Sequence, residues 1–316
     1  MSDPTDLAEL LASAPHNWGR WGPDDEVGSL NHLDVAQVLR GVAAVRSGRV
    51  CTLQRLIGDP AGDPVWPGRP QPSRRMHLDE SKYEAGFPEM PGGAHSSDDS
   101  IRMSLQGSTQ YDALGHVWHS GRIWNDRPAS TTNGEMRFAG VDPIARRGVV
   151  GRGILLDLAG HLGVDAVPAG TAFDLADLLA CADRQGVTIE KHDILLLRTN
   201  HLALFDADPE AFFADFCEPG LAYSPELVDW FAERGIPNLV TDTIGNEITT
   251  DPRTGFSLTL HNALMRNLGV AFTELCDFSA LIEACRETGR WEFLYAAAPL
   301  RVHGATGSPV NPIAVL

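Results

Sequence analysis

The chain has 316 residues, 43% hydrophobic and 21% charged, with 42 acids against 25 bases and a formal net charge of −17. That length buries a sizeable core in one large or two modest units. The acidic balance excludes nucleic acid and anionic membranes as natural partners, because both require a basic face.

No apolar run reaches the roughly 18–20 residues of a membrane span. The opening "MSDPTDLAELLASAPHNWGRWG" has no basic segment followed by an apolar one, so it does not read as a secretory signal. The cysteines are Cys51, Cys181, Cys217, Cys276 and Cys285. They are odd in number, widely spaced and without a C-x-x-C, which suits free thiols in a reducing cytoplasm.

In chain order, "DVAQVLRGVAAVRSG" from Asp34 predicts a helix stopped at Gly48, and "VCTLQRLI" a strand. Residues 58–99 are rich in proline and glycine. A loop of that length without periodic apolar content predicts a lid or an arm that covers a partner. "GVVGRGILLDLAG" is a buried strand, "DLADLLACADRQG" an amphipathic helix ended by Gly186, and "HDILLLRTN" another buried strand. "SPELVDWFAERG" opens with a serine cap, a proline and a glutamate, a helix start. "PNLVTDT" reads as a strand, "SLTLHNALMRNLG" as a helix and "VAFTELCD" as a strand. "FSALIEACRETG" then reads as a helix and "WEFLYAAAPLRV" as a strand. From residue 150 onward strands and helices alternate, which predicts an α/β fold with much parallel pairing. Neither a repeat nor a linker divides the chain, so residues 1–316 read as one domain with 58–99 as its arm or lid.

Ligands in open α/β sheets bind at the carboxyl ends of strands. Three segments carry ligand-type residues there: "GSTQYDALGHVWHSG" with Asp112 and His116, "VTDTIGNEITT" with Asp242 and Glu247, and "LHNALMRNLGVAFTEL" with His261 and Glu274. A short helix–strand unit carries the last pair to one end. Asp112, His261 and Glu274 would hold one divalent cation, since two carboxylates neutralise its charge. The oxygen-rich set leans toward Mn²⁺ or Zn²⁺. Such an ion lowers the pKa of water toward about 7 and polarises a carbonyl. His116, four residues beyond Asp112, is placed to take the proton. Taken singly, each of these residues is more often structural, and His77, His95, His119, Arg301 and His303 read as loop or structural residues.

The run from Gln106 to His116, "QGSTQYDALGH", resembles the H-x-G-T-H-x-D-x-P-x-H signature of the cyclase family. That family includes bacterial kynurenine formamidases and isatin hydrolases. Thr109, Asp112 and His116 agree with the signature. Gln106 and Gln110 stand in place of its two early histidines, Ser108 in place of its glycine, and Leu114 in place of its proline. "NWGRWGPDDEVGSLN", "RGILLDL", "LLLRTN", the His261–Glu274 pair and the tail from "WEFLYAAAPLRV" onward resemble the longer, roughly 300-residue branch of the family in the same order. The resemblance implies a swivelling β/β/α fold with a β-barrel-like core and flanking helices. It implies dimers or tetramers whose arms cover the active site. It also implies that Asp112, His261 and Glu274 are metal ligands and that His116 is catalytic.

Exchanging imidazole for a glutamine amide weakens a Zn²⁺ position. The expected protein is therefore a cytoplasmic hydrolase of a small amide, cyclic amide or lactone, with one Mn²⁺ or Zn²⁺ ion. In it Gln106, Thr109 and Gln110 orient the substrate. The alternatives are a metal-free lyase, dehydratase or cyclase using His116 and a carboxylate, and a non-catalytic binding protein.

Overall fold

The computed structural model describes residues 4–214 and 216–316. Nine strands form one mixed sheet: β1 (Val50–Thr52), β4 (Gln110–Asp112), β5 (Val149–Asp157), β7 (Ile194–Arg198), β9 (Asn238–Thr241), β10 (Ala271–Glu274), β11 (Glu292–Ala297), β12 (Gly307–Pro309) and β13 (Ile313–Val315). Two strand pairs stand outside it: β2 (Ser73–Leu78) with β3 (Asp98–Arg102), and β6 (Ala172–Phe173) with β8 (Gly220–Leu221). Across the large sheet the order is β1-β13-β11-β5-β7-β9-β10-β4-β12. The sheet curls into a half-barrel with helices on its flanks, an α/β architecture as expected.

The alternating segment after residue 150 supplies β5, β7, β9 and β10, which run parallel. The wings on both sides are antiparallel. Both faces of the parallel centre are covered. Ile154, Leu156, Leu195 and Leu197 pack into one core, while Leu155, Ile194 and Leu196 pack into the other. Double burial explains why these strands read as unbroken apolar runs.

Four longer α-helices flank the sheet: α1 (Val35–Ala44), α2 (Leu175–Gln185), α3 (Pro225–Arg234) and α4 (Ser279–Thr288). Helix α2 starts in a reciprocal Asp174–Asp177 capping box, and α3 starts at the Ser224 cap with Pro225 behind it. The expected helix over Ser257–Gly269 is a π-helix, His261–Leu268, with all eight residues buried. Such turns are rare and cluster at functional sites. Its last carbonyls are satisfied by the N-terminal segment. Asn17 Nδ2 and Ser29 Oγ donate to Leu268 O at 2.9 and 2.7 Å, Trp18 Nε1 to Arg266 O at 2.9 Å, and Ser29 N to Gly269 O at 2.7 Å. The "NWGRWGPDDEVGSLN" stretch is therefore a cap for this helix.

The proline- and glycine-rich span is less irregular than its composition suggests. It contains the β2–β3 hairpin, which runs on to Arg102, and a short helix at Glu80–Glu84. Its first part lies against the body and its hairpin is exposed along its length. The five cysteines are free thiols. Among the described residues no helix is long and apolar enough to cross a membrane.

Candidate active site

Strand β4 is only three residues long, yet it organises the site. It lies between β10 and β12, with Gln110 opposite Glu274 and Asp112 opposite Gly307. Side chains alternate along a strand. Gln110 and Asp112 therefore face one way, into a cavity of about 410 Å³. Tyr111 faces the other way, into the core, where its hydroxyl donates to Asn238 Oδ1 at 2.6 Å. The π-helix brings in His261 from its first residue, and β10 brings in Glu274 from its last.

Asp112, His261 and Glu274 converge as expected. One ligand atom from each lies within 4.8 Å of the other two, and all three residues are buried. His261 Nε2 is 3.5 Å from Glu274 Oε1, and His261 Nδ1 is 2.6 Å from Glu247 Oε1. A metal-ligating histidine commonly gives its second ring nitrogen to a carboxylate, which fixes its orientation. Asp112 Oδ1 is buried with no hydrogen-bond donor. Three converging donors, an oriented imidazole and an orphaned carboxylate oxygen fit a divalent cation.

The electrostatics agree. Burial and the Asp112 charge raise the Glu274 pKa. Burial acts to lower the His261 imidazole, but hydrogen bonds to Glu247 and Glu274, with their charges, raise it to about 10. Positive charge is thus favoured between His261 and the two carboxylates, as a proton or as an ion that displaces one.

His116 also lines the cavity, with its side chain 24% exposed and Nε2 4.0 Å from Asp112 Oδ2. Burial lowers its pKa below 6.5, against the opposing pull of Asp112. The two glutamines line the same cavity with different tethers. Gln106 Nε2 donates to Thr306 Oγ1 at 2.9 Å, and Gln110 Nε2 donates to Glu274 Oε2 at 2.8 Å.

Thr109 requires a correction. It is fully buried and lies outside the cavity lining. Its hydroxyl donates to Leu275 O at 2.6 Å and accepts from Arg55 N at 2.9 Å. Both bonds join the start of β4 to neighbouring chain, so Thr109 holds the strand rather than a substrate. Asp242 likewise stands apart, its carboxylate accepting from Thr199 N, Thr199 Oγ1 and Asn200 N.

Two lining residues carry no sequence signal. Glu218 is buried beside Gly245 and accepts from Ile244 N at 2.7 Å and Gly245 N at 2.9 Å. Burial raises its pKa to about 8, against those two hydrogen bonds. Arg69 reaches in from the arm and donates to Gln106 O at 2.7 Å. Trp66 and Phe216 form an apolar wall, edge to face with ring centroids 4.9 Å apart.

The sequence profile of a family described as putative cyclase matches residues 33–248. A crystal structure described as that of a novel cyclase superposes with a TM-score of 0.86 at 31% identity, covering 96% of this chain and 98% of that one. Isatin hydrolase A from Labrenzia aggregata, bound to benzyl benzoate, shares the fold at 20% identity with a TM-score of 0.60, covering 90% and 98% of the two chains. An isatin hydrolase bound to the product analogue thioisatinate does so at 16% identity and a TM-score of 0.60, covering 91% and 97%. No curated protein matches the chain.

Proposed function

The chain belongs to the putative cyclase family, and from that membership and the geometry of its site we propose that it is a metal-dependent hydrolase of a small amide, cyclic amide or lactone. The observation that carries this reading is the convergence of Asp112, His261 and Glu274 within 4.8 Å at a cavity that also holds His116. A cavity of about 410 Å³ suits a small molecule. The resemblance of the fold to isatin hydrolases supports acyl-transfer chemistry to water.

Asp112, His261 and Glu274 would hold the ion, Mn²⁺ or Zn²⁺. It would supply Lewis acidity toward a carbonyl oxygen and toward water. His116 removes a proton from water as the oxygen adds to the carbonyl carbon, then returns it to the departing nitrogen or oxygen as the acyl bond breaks. Gln106, fixed by Thr306, presents its amide oxygen to the substrate. Trp66 and Phe216 hold the apolar part of the substrate and exclude water.

The test is hydrolysis of a panel of small amides, cyclic amides and lactones, followed by pH-stat. Replacing His116 by Ala should reduce kcat by about 10²–10⁴ with little change in stability. A base must be neutral to act, and the His116 pKa lies below 6.5. kcat/KM should therefore fall only as pH drops below that value. An unchanged His116→Ala enzyme ends the assignment.

One observation favours a second reading. The Gln110 bond to Glu274 and the affinity of the cluster for a proton would also serve metal-free lyase or cyclase chemistry. Activity indifferent to chelator selects that reading, and activity lost to chelator and restored by Mn²⁺ or Zn²⁺ selects hydrolysis.

We also propose a homo-oligomer, dimer or tetramer. The exposed β2–β3 hairpin and an exposed apolar stripe on α1, Val35, Leu39 and Val42 at helical spacing, support it.

A further inference from the structure

The two glutamines look equivalent in the sequence and differ in the fold. Gln106 is tied off the cluster through its bond to Thr306. Gln110 is 1% exposed and lies on the same strand face as Asp112, directly across from Glu274. Its Nε2 donates to Glu274 Oε2 at 2.8 Å. Its Oε1 is buried and accepts from nothing. Turning the amide over would set Oε1 against a carboxylate oxygen, so Glu274 fixes which end of the amide is free. Asp112 Oδ1 is orphaned in the same way, two residues along the strand.

A buried acceptor without a donor is destabilising, because it has given up its hydrogen bonds to water for nothing. Two of them on one strand face, lining the same cavity as Glu274 and His261, are unfavourable unless something positive or a donor group meets them. We infer that Gln110 Oε1 is a fourth ligand of the ion proposed above, completing a set of three oxygens and one imidazole nitrogen.

The set has a consequence for metal choice. Zn²⁺ gains more than Mn²⁺ from a nitrogen ligand, whereas a neutral amide oxygen serves a hard cation comparatively well. Zn²⁺ still ranks above Mn²⁺ in the general order of affinities, but the oxygen ligand narrows the gap. Gln110 thus tunes the site toward Mn²⁺ without excluding Zn²⁺. It also clamps Glu274, so one side chain both ligates and positions.

The inference rests on the ion at Asp112, His261 and Glu274, and calorimetric titration of metal-stripped protein with Mn²⁺ or Zn²⁺ alone separates the two. Gln110→Ala should weaken Mn²⁺ binding about tenfold or more, with the signal of bound Mn²⁺ in electron paramagnetic resonance altered. Gln110→His should raise Zn²⁺ affinity about tenfold while moving Mn²⁺ by less than about threefold, since only Zn²⁺ gains strongly from the added nitrogen. Circular dichroism checks that each variant is folded. Should one variant fail to fold, the other decides. Mn²⁺ affinity left unchanged by Gln110→Ala, or Zn²⁺ affinity left unchanged by Gln110→His, overturns the role of Gln110 alone. Absence of binding in wild type, or binding that an Asp112→Asn control leaves unchanged, overturns the ion reading and this inference with it.

Discussion

His261 shows how much of the site depends on a neighbour outside the ligand set. Its Nδ1 lies 2.6 Å from Glu247 Oε1, which leaves Nε2 turned toward Glu274. Glu247 also accepts from Leu260 N at 2.7 Å and His261 N at 2.8 Å. Those are unpaired donors at the start of a helix. One carboxylate therefore anchors the helix and orients its first side chain. Glu247→Gln keeps the shape and one acceptor oxygen but removes the charge and puts an amide NH2 against a donor. It should weaken ion binding by about 10–100-fold, the usual worth of such a partner, as read by calorimetry. An affinity within twofold of wild type would show that packing alone, for instance against Phe272, orients His261. His261 and Glu274 were legible in the sequence because they sit in segments that read as a helix and a strand, and Asp112 and His116 because the run from Gln106 to His116 resembles the family signature. Glu218 and Arg69 were not, because each enters from a loop whose path is set by long-range packing.

The π-helix is as dependent on its far end as on His261. Gly269 caps it with φ +72°, and Gly28 lies against that cap with φ +56°. A Cβ on Gly28 would meet Gly269 O at 2.4 Å. Backbone cannot move aside as a flexible side chain can, and a left-handed φ strains any residue with a Cβ. Gly28→Ala should therefore destabilise the protein by about 2–4 kcal/mol, within the range of overpacking added to backbone strain. Since the cap holds the helix that carries His261, ion affinity should fall with it. Chemical denaturation and calorimetry measure the two effects, and a loss under about 0.5 kcal/mol would mean the N-terminal segment yields easily. Other elements show where pattern reading stops. "VCTLQRLI" suggests a full strand, but only Val50–Thr52 pairs with β13, and the chain then turns away toward Cys276. The short strands β4, β12 and β13 have three residues each, too few to display a period of two. "SRRMHL" and "DDSIR" form a hairpin that gives no apolar alternation because both of its faces are exposed.

At the scale of the whole molecule, that hairpin is the least self-sufficient part of the chain. An isolated two-stranded hairpin is marginally stable in water. This one leaves Met76, Phe87, Met90 and Ile101 exposed at 39–53%. The arm is joined to the body near Trp66 and Arg69, which line the cavity. An arm that docks on a second copy would bury those apolar side chains, each worth on the order of 1 kcal/mol for partial burial. It would also tie assembly to the wall of the site. The expected solution state is a dimer or tetramer by light scattering at micromolar concentration. Phe87→Ser with Ile101→Glu should shift it toward monomer. Neither residue supports the body of the protein, so the denaturation midpoint of the monomer should persist, and calorimetry should still detect ion binding at Asp112, His261 and Glu274. Substrate turnover should nonetheless drop in the variant, because Trp66 and Arg69, which the single chain already sets against the cavity, are held less firmly when the arm beyond them is undocked. A wild-type monomer, or a variant that assembles and turns over like wild type, would leave the arm without this role.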